Sequence, residues 1–265
     1  MSGGSVNVRG VEVAYDDVGR GDVVVLLHGF LFDRSMWREQ VAALSERFRF
    51  ITPDLRGHGE SSATDGPMTM EEMAADVAAL LDELGVTAAV VGGLSMGGYV
   101  ALAFCRRYPE RVRALVLADT RAQADNEEGR AGREELARRA RDEGMRPIAD
   151  TLTPKLLAPE TLAARPDVVE RVRSMILATK PEGAASASRG MAVRADQTEW
   201  LSEISVPVLI VVGSEDAITP PAGAEAMHAR IKGARLEVIG GAGHASNIER
   251  PAEFNRVLAD FLGRL

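Results

Sequence analysis

Val90-Val91-Gly92-Gly93-Leu94-Ser95-Met96-Gly97-Gly98 decides how the rest of this chain is read. An apolar, β-branched run passes into Gly-x-Ser-x-Gly, and a helical pattern, Tyr99-Val100-Ala101-Leu102-Ala103-Phe104, follows at once. A serine lodged between a buried strand and a helix sits on a sharp turn, with its Oγ held clear of the backbone. Gly93 and Gly97 flank it because a Cβ at either place would meet the tight turn or a neighbouring chain segment. The helix that starts behind Ser95 presents unpaired N–H groups and the positive end of its dipole to any oxyanion formed there. A bare Gly-x-Ser-x-Gly carries little weight. Its place between strand and helix makes it specific.

Working outward, short continuous apolar runs of the buried-strand type recur. They fall at 23–27, 48–52, 89–94, 114–118, 207–212 and 236–239. Two further strands, 6–9 and 11–17, are separated by Gly10 and read as a hairpin. Helical patterns lie between the runs. Thr69 and Glu72 fit a capping box, Met73, Val77, Leu80, Leu81 and Leu84 form one apolar stripe, and Gly85 ends it. Residues 37–44 and 251–262 are similar, the latter with Pro251 at a first helical position. This alternation predicts an α/β fold with a mostly parallel eight-stranded sheet covered by helices on both faces. From 121 to 200 no strand-like run occurs. A stretch dense in Ala, Arg and Glu at 128–141 and helical spacing at 168–179, punctuated by Pro147, Pro154, Pro159, Pro166 and Pro181, predict a helical cap inserted into a core made of 1–120 and 201–265. Such a cap would cover the carboxyl edge of the sheet, where ligands bind in open α/β folds.

Composition narrows the function classes. Hydrophobic residues make up 46% of the 265, enough for a sizeable core, and the net charge of −8 argues against nucleic acid as a partner. The single cysteine, Cys105, has no intrachain partner and reads as a small buried apolar residue, which points to a cytoplasmic home. Met1-Ser2-Gly3-Gly4-Ser5 lacks the basic and apolar regions of a secretory signal. No apolar stretch approaches the roughly 20 residues of a membrane helix, so no membrane partner is expected.

A serine hydroxyl needs a base to become a nucleophile, and the base needs a carboxylate to hold its tautomer. The order expected on this fold is Ser, then Asp or Glu, then His. Of His28, His58, His228 and His244, only the last two follow Ser95. His228 lies in a helical pattern, 222–231, and reads as a surface residue. His244 lies in the glycine-rich loop Gly240-Gly241-Ala242-Gly243-His244-Ala245-Ser246 after the last strand, and is the expected base. The acid should follow the strand at 208–212, in Gly213-Ser214-Glu215-Asp216-Ala217-Ile218-Thr219-Pro220. Asp216 is favoured over its neighbour Glu215. Asp119, at the end of an earlier strand, is the rival. The oxyanion donors are expected at the backbone N–H of Met96 and, in the loop Leu27-His28-Gly29-Phe30-Leu31, at that of Phe30. His28 and His58 read as loop residues that bond and pack near the site, and Arg56 as a loop anchor.

Taken together, His28-Gly29-Phe30, Asp54-Leu55-Arg56-Gly57-His58-Gly59, Gly93-Leu94-Ser95-Met96-Gly97-Gly98, Gly213-Ser214-Glu215-Asp216 and Gly243-His244 resemble the capped α/β-hydrolase superfamily. Leu177-Ala178-Thr179-Lys180-Pro181-Glu182-Gly183, with the segment 208–221, is similar to the 3-oxoadipate enol-lactonase-like esterases. The resemblance implies hydrolysis of enol-lactones or small carboxylic esters with no cofactor and no metal. It maps the triad and oxyanion donors onto Ser95, Asp216, His244, Phe30 and Met96. Serine at the elbow, where dehalogenases and epoxide hydrolases carry a carboxylate, favours acyl transfer to water, with perhydrolysis as a side activity of some serine members. The leading expectation is therefore a hydrolase acting on a small-molecule ester or lactone. A narrower one is a dedicated 3-oxoadipate enol-lactonase, whose carboxylated substrate calls for a cation among Arg133, Arg138, Arg139, Arg171, Arg173, Arg189 and Arg194. A third, of another class, is a ligand sensor on the same scaffold, distinguished by a single turnover with retained product.

Overall fold

In the computed structural model, which describes residues 2–265, the chain opens on β1 (Ser2–Val8) and β2 (Val11–Gly19). Arg9 and Gly10 join them with φ of 53° and 78°, the pair of left-handed residues that a two-residue hairpin twisting with its strands requires. β1 begins at Ser2 rather than at the expected residue 6, because Gly3, Gly4 and Ser5 extend the ladder opposite Asp16, Tyr15 and Ala14. Backbone pairing needs no apolar side chain, so the pattern did not announce it. β3 (Asp22–Leu27), β4 (Phe48–Pro53), β5 (Ala89–Leu94), β6 (Val112–Ala118), β7 (Val208–Gly213) and β8 (Arg235–Ile239) run parallel to one another. The eight-stranded sheet has the order β1-β2-β4-β3-β5-β6-β7-β8, with β1 and β2 its antiparallel edge.

The central strands are buried on both faces. Val25, Leu27, Val91, Leu115 and Leu117 pack against α2 (Met70–Glu83) and α3 (Met96–Arg107), behind the elbow, while α1 (Arg38–Leu44) leads from β3 to β4 on the other side. The alternate residues Val24, Leu26, Val90 and Val116 pack with Trp37, Phe254 and Leu258. The Thr69–Glu72 capping box opens α2 as read from sequence, with Thr69 Oγ1 accepting from the Glu72 N–H at 3.2 Å and Glu72 accepting from the Thr69 N–H at 3.0 Å.

Between β6 and β7 the chain forms five α-helices, α4 (Glu127–Glu143), α5 (Met145–Leu156), α6 (Pro159–Ala164), α7 (Pro166–Ala178) and α8 (Pro181–Ala192), and a 3-10 turn at Trp200–Glu203. Pro159, Pro166 and Pro181 open their helices, where a missing N–H costs nothing. Pro154, one of the punctuating prolines, instead sits inside α5, for which the sequence shows no helical spacing. Nor did periodicity reveal α8, whose buried face is made of Gly183, Ala184, Ser186, Ala187 and Gly190. These small residues let it lie backbone against backbone on the loop below. A Cβ at Gly183 would overlap the Gly57 carbonyl, one at Gly190 would overlap that of Met68, and the Met68 N–H donates to the Ser186 carbonyl at 3.0 Å. The chain closes with α9 (Pro221–Arg230), the short α10 (Ser246–Glu249) and α11 (Pro251–Leu262). Among the described residues no helix is long and apolar enough to cross a membrane.

Two glycines make a paired test of this packing. A Cβ at Gly190 has no room, whereas one at Gly132, inside α4, meets nothing within 4 Å. Gly190→Ala should lower the unfolding free energy by about 1–3 kcal/mol, the usual cost of overpacking. Gly132→Ala should raise it by roughly 0.5–1 kcal/mol. Denaturant midpoints of the two variants check both signs.

Candidate active site

Ser95 holds φ 55° and ψ −114° between β5 and α3. A non-glycine residue in such a conformation costs on the order of 1–3 kcal/mol and persists only where its surroundings over-determine it. Here they do. The Ser95 N–H donates to the Ala118 carbonyl at 2.9 Å, and the Ser95 carbonyl accepts from the Gly98 N–H at 2.9 Å and from Thr120 Oγ1 at 2.8 Å. A Cβ at Gly93 would overlap the Gly97 carbonyl carbon, and one at Gly97 the Leu27 carbonyl oxygen. The motif's glycines are thus demanded by close approach, as expected, while the positive φ falls on the serine itself.

His244 and Asp216 meet over the ends of β7 and β8. His244 Nδ1 lies 2.8 Å from Asp216 Oδ2, and both side chains are buried. Asp216 Oδ1 accepts from the N–H groups of Ile218 at 2.8 Å and Thr219 at 2.9 Å, and its Oδ2 also accepts from Thr219 Oγ1 at 2.7 Å. Burial by itself would raise this carboxyl, but the charge and hydrogen bond of His244 and the bonds from Thr219 outweigh it and hold Asp216 below the usual carboxylate range. An ionised Asp216 takes the Nδ1 proton of the imidazole as a donor, which leaves Nε2 as the acceptor. Thr219 was part of the quoted segment but had no assigned role. The signal was an aspartate with a threonine three residues on, a pattern that folds the side chain back onto its own turn.

Ser95 and His244 line one cavity of about 130 Å³. Phe30, Leu31, Phe32, Tyr99 and Ile218 form its lower wall, and Arg133, Leu136, Leu152, Leu156 and Met191 of the helical segment its upper one. A cavity of this order accommodates a ligand about the size of benzene. Phe30 stands at the cavity, and Met96 is the buried first residue of α3. Among the described residues neither backbone N–H has a protein acceptor.

A sequence model of the alpha/beta hydrolase fold matches residues 22–251. The chain belongs to that family. Over 262 residues it is 30% identical to 3-oxoadipate enol-lactonase 2 of Acinetobacter baylyi, spanning 98% of this chain and 96% of the relative. Among solved structures it is similar to a malate-bound thermophilic esterase from Thermogutta terrifontis, with a TM-score of 0.96 and 43% identity over 100% of this chain and 99% of that one. The enol-lactonase from Burkholderia xenovorans LB400 superposes with a TM-score of 0.92 at 35% identity, covering 98% of this chain and all of its own. The resemblance to the enol-lactonase-like hydrolases read from the motifs is thereby met by whole-chain similarity.

The remaining polar residues of the motifs hold loops. Buried His28 bonds through Nδ1 to the Gly29 carbonyl at 2.8 Å and accepts the Leu55 N–H on Nε2 at 2.9 Å, so it ties the loop after β3 to the loop after β4. Burial, against a smaller opposing hydrogen bond, lowers it to about 4. His58 packs on it at 5.0 Å between ring centres and is likewise lowered by burial, to about 3, so both rings are neutral. Arg56 forms a bidentate pair with Asp76 of α2 at 2.5 and 2.6 Å, the loop anchor expected. His228 is exposed on α9. Glu249 was not singled out from the sequence. Its carboxylate accepts from the Gly243 N–H and, across to the helical segment, from the Ala158 N–H, both at 2.8 Å.

Among the described residues Asp119, the rival acid, makes no hydrogen bond or ion pair with His244, whose carboxylate partner is Asp216. Asp119 accepts from the Gly213 N–H at 2.8 Å and from Ser246 Oγ at 2.5 Å, bracing the ends of the two loops that carry Asp216 and His244. Burial, then the nearby charge of Asp216, raises its carboxyl well above the usual range. A carboxyl raised on folding takes up a proton in the folded state. Its contribution to stability is therefore greatest below the unfolded value of about 3.9 and declines as pH climbs through the folded one. Asp119→Asn keeps an acceptor for Gly213 and a donor for Ser246 without the charge. The melting temperature of the variant relative to the parent should rise from pH 5 to pH 8. Parallel profiles would contradict a raised Asp119.

Proposed function

We propose that the protein is a serine hydrolase that cleaves a small carboxylic ester or lactone through an acyl-enzyme. The observation that carries the reading is the common cavity of Ser95 and His244, with His244 Nδ1 bonded to a carboxylate that is held ionised. In this mechanism His244 Nε2 accepts the Ser95 hydroxyl proton as Oγ attacks the carbonyl carbon. The carbonyl π pair moves onto oxygen, where the Phe30 and Met96 N–H groups receive it, each worth about 3 kcal/mol on the mutational scale for such donors. The tetrahedral adduct collapses, and the leaving oxygen takes its proton from His244. Water then repeats the sequence on the acyl-enzyme, with His244 again the base, and releases the acid and free Ser95.

Residues 121–200 act in this reading as the cap over a core of 1–120 and 201–265. They supply the cavity's upper wall, and with it the choice of substrate. Cavity size favours small acyl groups. The names borne by the Acinetobacter and Burkholderia relatives support a narrower form of the same reading, a 3-oxoadipate enol-lactonase.

Ser95→Ala should lower kcat/KM for p-nitrophenyl acetate by about 10⁴-fold or more with an unchanged melting curve. Full activity in that variant would remove Ser95 from the chemistry. Thr219→Val, which leaves Asp216 and His244 in place but deletes one donor to Oδ2, should reduce kcat by roughly tenfold with little change in KM. Sustained turnover on a panel of p-nitrophenyl esters and lactones separates an enzyme from a sensor that stops after one cycle, and its profile ranks lactone against ester.

A further inference from the structure

His244 is held at its ring by the core and at its backbone by the inserted helices. The ring meets Asp216 Oδ2 at 2.8 Å and Thr219 Oγ1 at 3.2 Å, both in the loop after β7. The residues on either side of it bond elsewhere. The Ala245 N–H donates to the carbonyl of Leu156, the last residue of α5, at 3.1 Å. The Gly243 N–H donates to Glu249 Oε1 at 2.8 Å, and the other oxygen of that carboxylate accepts the Ala158 N–H at 2.8 Å. At Gly243 the two backbones nearly touch, since a Cβ there would lie 2.6 Å from the Ala158 nitrogen and 2.8 Å from the Leu157 carbonyl carbon. Leu156 also lines the cavity of Ser95. One stretch, 156–158, thus serves both the cavity wall and the loop of the imidazole.

A carboxylate is the side chain that this junction requires. Glu249 is 1% exposed, and a charge so deep is costly unless its oxygens are filled. Two backbone donors from separate segments fill them, with a further bond from the Thr161 side chain. Glutamine offers one acceptor oxygen, so its amide nitrogen would face one of the two N–H groups donor against donor. Hydrogen bonds to an ionised acceptor are also roughly twice as strong as neutral ones. Asp216 and Thr219 do not duplicate this support, because they hold the ring and not the loop. The mechanism written for Ser95 and His244 makes no use of the Glu249 charge, and among the described residues its carboxylate bonds to neither side chain.

We propose that Glu249 is a positioning residue for His244: it clamps the loop of the imidazole onto the end of α5, so that the inserted helices set the place of the base as well as the shape of the cavity. For turnover this rests on the reading of His244 as the base; for the placement of the ring it does not. A base displaced by about 1 Å loses up to roughly a hundredfold in rate, and the loss falls on kcat rather than on substrate binding.

The test has a spectroscopic arm and a kinetic arm, both run well below the melting transition of every variant. In protein labelled at the histidine nitrogens, the proton on His244 Nδ1 that faces Asp216 gives a low-field resonance, assigned by its loss in His244→Gln. Glu249→Gln should shift this resonance and speed its exchange with solvent by about tenfold or more. Gly243→Ala, which wedges the same contact apart from the other side, should do the same. Arg250→Gln removes the salt bridge to Glu160 across the same junction and should match the wild type. In turnover of p-nitrophenyl acetate, Glu249→Gln should lower kcat by about ten- to a hundredfold and leave KM within about twofold. An unchanged His244 resonance in Glu249→Gln, an equal change in Arg250→Gln, or a loss confined to KM would overturn the proposal. A displaced resonance with kcat unchanged would uphold the clamp and remove His244 from the role of base instead.

Discussion

Ser95 keeps a positive φ at the junction of β5 and α3, and that conformation survives only because both flanks are pinned. The strand before it is locked between β3 and β6, and the helix after it starts within one residue. Gly93 and Gly97 then touch backbone atoms where a side chain would stand. Everything else in the site is arranged around that turn. The loop after β3 lies over the start of α3, Thr120 grips the Ser95 carbonyl, and the loops after β7 and β8 bring Asp216 against His244, which shares the cavity of Ser95.

Burying several carboxyl groups around the loops of Asp216 and His244 would ordinarily be costly, and the fold meets that cost in two ways. Asp216 is buried but ionised, because an imidazole, a hydroxyl and two backbone N–H groups all face it. Asp119, buried nearby with fewer donors and the charge of Asp216 against it, is pushed towards its neutral form. Glu249 is raised by burial in spite of its two backbone donors. The contrast between Asp119 and Asp216 separates a brace from a partner of His244: donor count and the proximity of an imidazole decide, not distance from Ser95 along the chain.

The helical segment is coupled to the loop of His244 by direct bonds. Glu249 spans Gly243 and Ala158, and the Ala245 N–H donates to the Leu156 carbonyl at 3.1 Å. On its other side α8 rests on the 57–68 loop through glycine and serine. The cavity's upper wall is therefore registered against the loop of His244 on one side and against the 57–68 loop on the other. A surface that stays fixed relative to Ser95 can discriminate among ligands by shape and charge.

The fold was legible because its signals are local. Eight strands, the capping box at Thr69 and the elbow at Ser95 each follow from residues close together in sequence, where periodicity and steric demand act directly. Three helices of the inserted segment escaped that reading. α8 packs by the absence of side chains, α5 carries a proline within it, and α6 is too short for a stripe. At the site, the Gly-x-Ser-x-Gly turn pointed to Ser95, and chain order together with the loops after the last two strands pointed to His244 and favoured Asp216. It could not show that Asp119 faces Gly213 and Ser246, that Thr219 completes the surroundings of Asp216, or that Glu249 ties the helices to the loop of His244. Nor could it choose among seven arginines. Only the tertiary structure brings Arg133 to the cavity wall, because which face of α4 turns inward depends on what α4 packs against, and that contact, with α8, spans 38 to 65 residues of chain between the two helices' ends.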